Sequence, residues 1–127
     1  MQEKHLFEYS VIRLVPCVER EEFLNVGVIV YSRERGFLKS AFEINEGRLR
    51  AICNDIDMNE MGAHLRSFEQ ICIGGEDAGP IGKLSQGERF RWLTAPRSTV
   101  VQTSPVHTGL SEDTEKTLQE LLIRMVR

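Results

Sequence analysis

The first forty residues alternate with a period of two. From Leu6 to Val15, the side chains of Phe7, Tyr9, Val11, Arg13 and Val15 fall on one side of an extended chain, and Glu8, Ser10, Ile12 and Leu14 on the other. Alternation predicts a strand, and two largely apolar faces predict one covered on both sides. Glu21–Tyr31 predicts a second strand, with Leu24, Val26, Val28 and Val30 on one face and Phe23, Asn25, Gly27, Ile29 and Tyr31 on the other. Gly27 inside it calls for a bulge or for a neighbour packed close to the backbone. After the charged "SRER", Gly36–Phe42 closes a hairpin. The first third is therefore expected to be a three-stranded antiparallel meander.

Beyond Phe42 the period lengthens. "INEGRLRAIC" fits a short helix capped by Asn45. The next helix is better marked: Asp57 at its cap, Glu60 three residues on, and Met58, Met61, Leu65, Phe68 and Cys72 at helical spacing. "GGEDAGPIG" ends that helix and reads as a flexible loop, and "LSQGERFRWL" as another short helix with Gly87 as its weak point. Ser98–Thr103 alternates β-branched residues and predicts a fourth strand, limited by Pro105. Ser111 is expected to cap a last helix whose buried stripe is Leu118, Leu121, Leu122, Met125 and Val126. Together these elements predict one α+β domain over residues 1–127: an antiparallel sheet of about four strands, the meander plus a later strand, with helices packed mainly on one face.

Composition adds boundaries. The chain has 127 residues, 41% of them hydrophobic and 28% charged, which suits one folded core. A net charge of −3 argues against a general nucleic-acid coat. No apolar run approaches the length of a membrane span, and "MQEKHLFEYS" lacks a signal-peptide pattern, so a cytoplasmic location is expected. Cys17, Cys53 and Cys72 are odd in number and far apart, which fits reduced thiols in a cytoplasm and neither a disulfide framework nor a zinc knuckle.

Spacing rejects a phosphate loop and gives no support to a metal site, short of one assembled in three dimensions. "GGEDAGPIGKL" is rich in glycine, but Asp77 stands where a phosphate loop needs its first glycine, and Leu84 where it needs a hydroxyl. His5, His64 and His107 have no metal-ligand spacing. Ser98 and His107 would come near each other if the chain reverses at Ser104–Pro105, but no nucleophile-elbow pattern supports catalysis there.

From Arg89 to Leu110 there are three arginines, one histidine and no acid. Arg97 follows Pro96, whose fixed φ restricts where the guanidinium points, and Ser98 and its neighbours offer hydroxyls. Arg13, alone in an apolar strand, must pair or face a cleft. Were Arg13 and Arg97 to meet on one sheet face, they would form an anion pocket. The plainer alternative pairs Arg13 with Glu22 or Glu43 and leaves Arg97 in a turn. Phe90 and Trp92 between arginines have the look of a nucleic-acid surface, yet both are also what a small core buries.

Two segments, "YSVIRLVPCVEREEFLNVGVIVYSRERGFLKSAF" and "RFRWLTAPRSTVVQTSPVHTGLSEDTEKTLQELL", resemble a bacterial family of unknown function, domain of unknown function 3037, and the resemblance covers nearly the whole chain. It implies a small, cytoplasmic, single-domain protein with no established activity. Members of that family are often encoded beside a protein similar to the HipA-type kinases, which implies a partner or accessory role. The expectation is thus a binding module with no cofactor, contacting a protein partner, with a HipA-like kinase as the candidate, through Arg13, Asn25, Arg97, Ser98 and His107. Nucleic acid is disfavoured as a partner, and a homodimer through an exposed edge such as Gly36–Phe42 stays open. The alternative is an enzyme or binder acting on a phosphorylated or nucleic-acid ligand, with His107 as acid or base.

Overall fold

The computed structural model describes residues 3–127. Its strands are β1 (His5–Leu14), β2 (Leu24–Ser32), β3 (Phe37–Phe42), β4 (Val101–Thr103) and β5 (His107–Ser111). Its helices are α1 (Glu46–Ile52), α2 (Met58–Ile73), α3 (Gln86–Thr94) and α4 (Thr114–Val126). The fold is α+β, and β1, β2 and β3 form the expected antiparallel meander. The sheet runs β3-β2-β1, and the far edge of β1 carries two strands end to end: β4 beside Ile12–Leu14 and β5 beside His5–Tyr9. The single later strand expected over Ser98–Thr103 is therefore shorter, and a fifth strand follows it. The chain does not reverse at Ser104–Pro105. Both strands pair antiparallel with β1, so the chain runs straight on past the interruption.

β2 departs from strict alternation. Ile12 pairs with Gly27 and Arg13 with Asn25, so Val26 is an extra residue bulged out of the ladder. The bulge shifts the phase by one residue. Val28 and Val30 join one core, while Val26 and Ile29 join the other, so the uniform face expected for Leu24, Val26, Val28 and Val30 does not exist. Gly27 meets both sequence expectations at once. It sits at the bulge, and a Cβ there would stand 2.5 Å from the Ala41 carbonyl oxygen and 2.7 Å from Phe42 Cδ1.

Each sheet face has its own core. Ile12, Leu14, Val26 and Ile29 pack with Leu49 of α1, Leu65 and Phe68 of α2 and Phe90 of α3. Phe7, Val11, Val28 and Val30 pack with Leu118 and Leu122 of α4 alone. Most helices therefore cover one face, and α4 closes the other. This explains why β1 reads as apolar on both sides.

Local signals place the helix starts. Asn45 Oδ1 accepts from the Arg48 amide at 3.0 Å, and Asp57 Oδ1 from Asn59 and Glu60 at 2.9 and 3.2 Å. At α3 the box is reciprocal, with Ser85 and Glu88 each accepting from the other's backbone. α4 is capped by Asp113, not by Ser111, which ends β5 and accepts from the Asp113 amide. "GGEDAGPIG" is not a plain loop: Glu76–Lys83 forms 3-10 turns kinked at Gly79, whose φ is +69°. Among the described residues, no helix is long and apolar enough to cross a membrane.

Candidate functional site

The acid-free stretch is a continuous edge. α3 supplies Arg91 and Trp92, a bend carries Arg97 and Ser98, and β4 and β5 follow along β1. Ser104 holds the junction between the two strands. It is buried, its amide donates to the Val11 carbonyl at 2.9 Å, and its hydroxyl accepts from the Val11 amide at 2.8 Å. The buried Ser10 hydroxyl donates to the Ser104 carbonyl. The Ser104 side chain thus replaces a missing backbone partner, and the ladder continues across Pro105. Ser104→Ala leaves the Val11 amide without its acceptor in the interior. The expected loss is about 1–3 kcal/mol, read as a lower urea midpoint with an unchanged slope.

The expected cluster is not brought together. Arg13 and Asn25 are cross-strand partners and lie on the α4 face, where the Asn25 amide donates to the Met125 carbonyl at 3.2 Å. The Arg13 guanidinium stacks over the Phe23 ring at 4.2 Å. Neither carboxylate of the plainer alternative reaches it, because Glu22 pairs with Arg20 and Glu43 with Arg127. Among the described residues, Arg13 Nε and Asn25 Oδ1 are buried without a hydrogen-bond partner. His107 is on the same face but opposite Tyr9, ring centroids 5.3 Å apart, four residues along β1 from Arg13, or about 13 Å. Among the described residues, nothing hydrogen-bonds to its ring.

Arg97 belongs to the other face. It stacks over Trp92 at 4.5 Å, donates to the Trp92 carbonyl, and lines a cavity of about 280 Å³ with Phe68, Leu93 and Val101 of the three-helix core. The single concavity expected to hold Arg13 and Arg97 is therefore absent. Odd-numbered residues of β1 point to the α4 face, whereas the bend after α3 lies with the opposite helices. Ser98, beside Arg97, is exposed in the bend.

What the edge does assemble is a groove of about 1220 Å³, floored by the open end of the sheet and walled by α3. Leu6, Leu84 and Trp92 line it at 51%, 37% and 40% exposure, and Leu110, paired with Leu6 across the ladder, extends the apolar floor at 65%. Arg91 grips both carboxylate oxygens of Glu8 at 2.8 and 2.9 Å, and Arg33 stands on the rim. Among the described residues, neither Arg33 nor Arg97 forms an ion pair. Phe90 and Trp92 share α3 but divide its roles: Phe90 is fully buried and Trp92 faces out. The sequence pattern treats the two alike, as a nucleic-acid surface or as core. The signal that separates them is the helical phase, since Phe90 and Leu93 align inward and Trp92 does not.

The groove thus combines an apolar floor and a tryptophan with a paired arginine, Arg91, and an arginine in no ion pair among the described residues, Arg33. The chain matches the family model described as protein of unknown function (DUF3037) over residues 9–126, nearly its whole length, and it belongs to that family. Comparison with curated proteins and with solved structures found no match.

Proposed function

We propose that this chain is a cytoplasmic accessory module that docks a protein partner in the groove between α3 and the open end of the sheet. The observation that carries the reading is the exposure of Leu6, Leu84 and Trp92 around one concavity, with exposed Leu110 paired beside Leu6, an apolar concentration that single scattered surface residues do not produce. Charge narrows the partner's chemistry. Arg33 on the groove and Arg97 over Trp92 form no ion pair among the described residues, while the Glu88 carboxylate of the groove is turned to the Ser85 cap, so the complementary surface is apolar with acidic side chains at its margin. Arg97, stacked on Trp92, is the residue of the expected polar cluster that joins this surface. A HipA-like kinase, the partner implied by the family resemblance, is the first to test.

The test is titration calorimetry of the purified chain against such a kinase. Trp92→Ala is expected to weaken binding by about 2 kcal/mol, roughly 30-fold. Leu6→Asp is expected to abolish it, and Arg97→Ala to weaken it with a shallower salt dependence. Trp92 and Arg97 are outside the core, so thermal stability should hardly move. Binding that survives Trp92→Ala and Leu6→Asp together at wild-type affinity would reject the groove.

A further inference from the structure

We propose that Cys17 and Cys53 form a reversible intramolecular disulfide, an oxidative modification site at the end of the molecule where β1 leaves the sheet. Though 36 residues apart in sequence, their sulfur atoms are 3.3 Å from each other. A disulfide bond is about 2.05 Å long, so the two sulfurs have a little over 1 Å to close. Both backbones are held close to the pair. Cys17 follows Leu14 and Val15, which are buried, and the Val15 amide donates to the Val100 carbonyl at 2.7 Å. Cys53 ends α1, donates to the Leu49 carbonyl at 3.0 Å, and so hangs from a fully buried leucine. The side chains themselves are half-buried, which admits a small oxidant. Cys72 offers the contrast, since it lies buried in the core, away from a dissolved oxidant.

The oxidant is a low-molecular-weight disulfide of the glutathione type. The Cys17 sulfur, losing its proton, attacks one sulfur of that disulfide and expels the first small thiolate. The Cys53 sulfur then loses its proton and attacks Cys17 Sγ, which expels the second. One protein disulfide forms, the small disulfide is reduced to two thiols, and the two protons end on those thiols. Cys53 sits at about 11, raised by the Cys17 thiol it contacts, by partial burial and by the neighbouring Asp55 carboxylate. Ring closure is therefore slow near neutral pH and accelerates as pH rises. In a reducing compartment such a pair is reduced at rest and bonds under oxidative load, the behaviour of a sensor. The bond would tie the β1–β2 connection to the end of α1.

The experiment uses the full chain without any partner, so its outcome is independent of the groove. The protein is treated with oxidised glutathione and then denatured for thiol titration. Free thiols are expected to fall from three to one, with intact mass lower by two hydrogens and a peptide map joining Cys17 to Cys53. The melting temperature is expected to rise by on the order of 10 °C and return with dithiothreitol. Cys17→Ser and Cys53→Ser each abolish the shift, whereas Cys72→Ser leaves it. Three thiols surviving oxidation, an unresolved glutathione adduct, or bonds formed only between chains would overturn the proposal.

Discussion

Phe90→Ala is expected to remove about 3–5 kcal/mol of stability, enough to leave a domain of this size partly unfolded at physiological temperature, since total stabilities run at roughly 5–15 kcal/mol. Phe90 is fully buried beneath α3 and stacks on Tyr31 of β2, ring centroids 5.1 Å apart. It is the largest of the completely enclosed side chains among the described residues and, with Leu93, seats α3 on the sheet. Truncation opens a hole bounded by the rigid ladder on one side and a capped helix on the other, and neither can collapse into it. Urea denaturation measures the loss. Phe90→Leu should recover more than half of it, and Trp92→Ala, two residues on and exposed, should cost less than about 1 kcal/mol. A loss below 2 kcal/mol for Phe90→Ala would mean that α3 is not seated as described.

Arg89→Met is expected to cost about 3 kcal/mol, although methionine keeps much of the stem's volume. Arg89 is buried, and its guanidinium is spent on backbone. Nη1 donates to the Ile71 and Cys72 carbonyls at 3.0 and 2.9 Å, and Nε to the Leu84 carbonyl at 3.2 Å. The first two are among the last carbonyls of α2, which have no partner within their own helix, and a cation there also opposes the helix dipole. Gly74 shows how closely this cap is fitted. Its φ is +81°, and a Cβ would stand 2.4 Å from Arg89 Nη1. Lysine places three donors at one point, not in a planar fork, so Arg89→Lys should restore only part of the loss. Hydrogen exchange offers a second readout: amides in the last turn of α2 should exchange faster in Arg89→Met than those of α4. Equal protection of α2 in wild type and variant would remove Arg89 from the cap.

Arg89 also shows where pattern reading stops. In the sequence it is one of three arginines in an acid-free run and suggests an anion surface, yet each of the three has a different task. Arg89 caps a helix from within, Arg91 clasps Glu8, and Arg97 covers Trp92. Likewise Ser104 reads as one hydroxyl among several, whereas in the fold it completes a backbone ladder. Charge and hydroxyl content describe what a segment can bond to. The atoms that come within reach of it are chosen by elements far away in sequence.

Sequence alone determined the meander, the caps at Asn45 and Asp57, the inward stripe of α2 and α4, and the need for glycine at position 27. These features rest on interactions within a few residues or on the strict alternation of a strand, so the local pattern contains them. Tertiary structure decided the rest. One extra residue at Val26 reverses the facing of half of β2, an effect that alternation cannot foresee because a bulge is stabilised by its neighbours. The same contacts across the sheet separate Arg13 from Arg97, expose Trp92 beside Leu6, and bring Cys17 to Cys53, since proximity between distant segments depends on how whole layers pack.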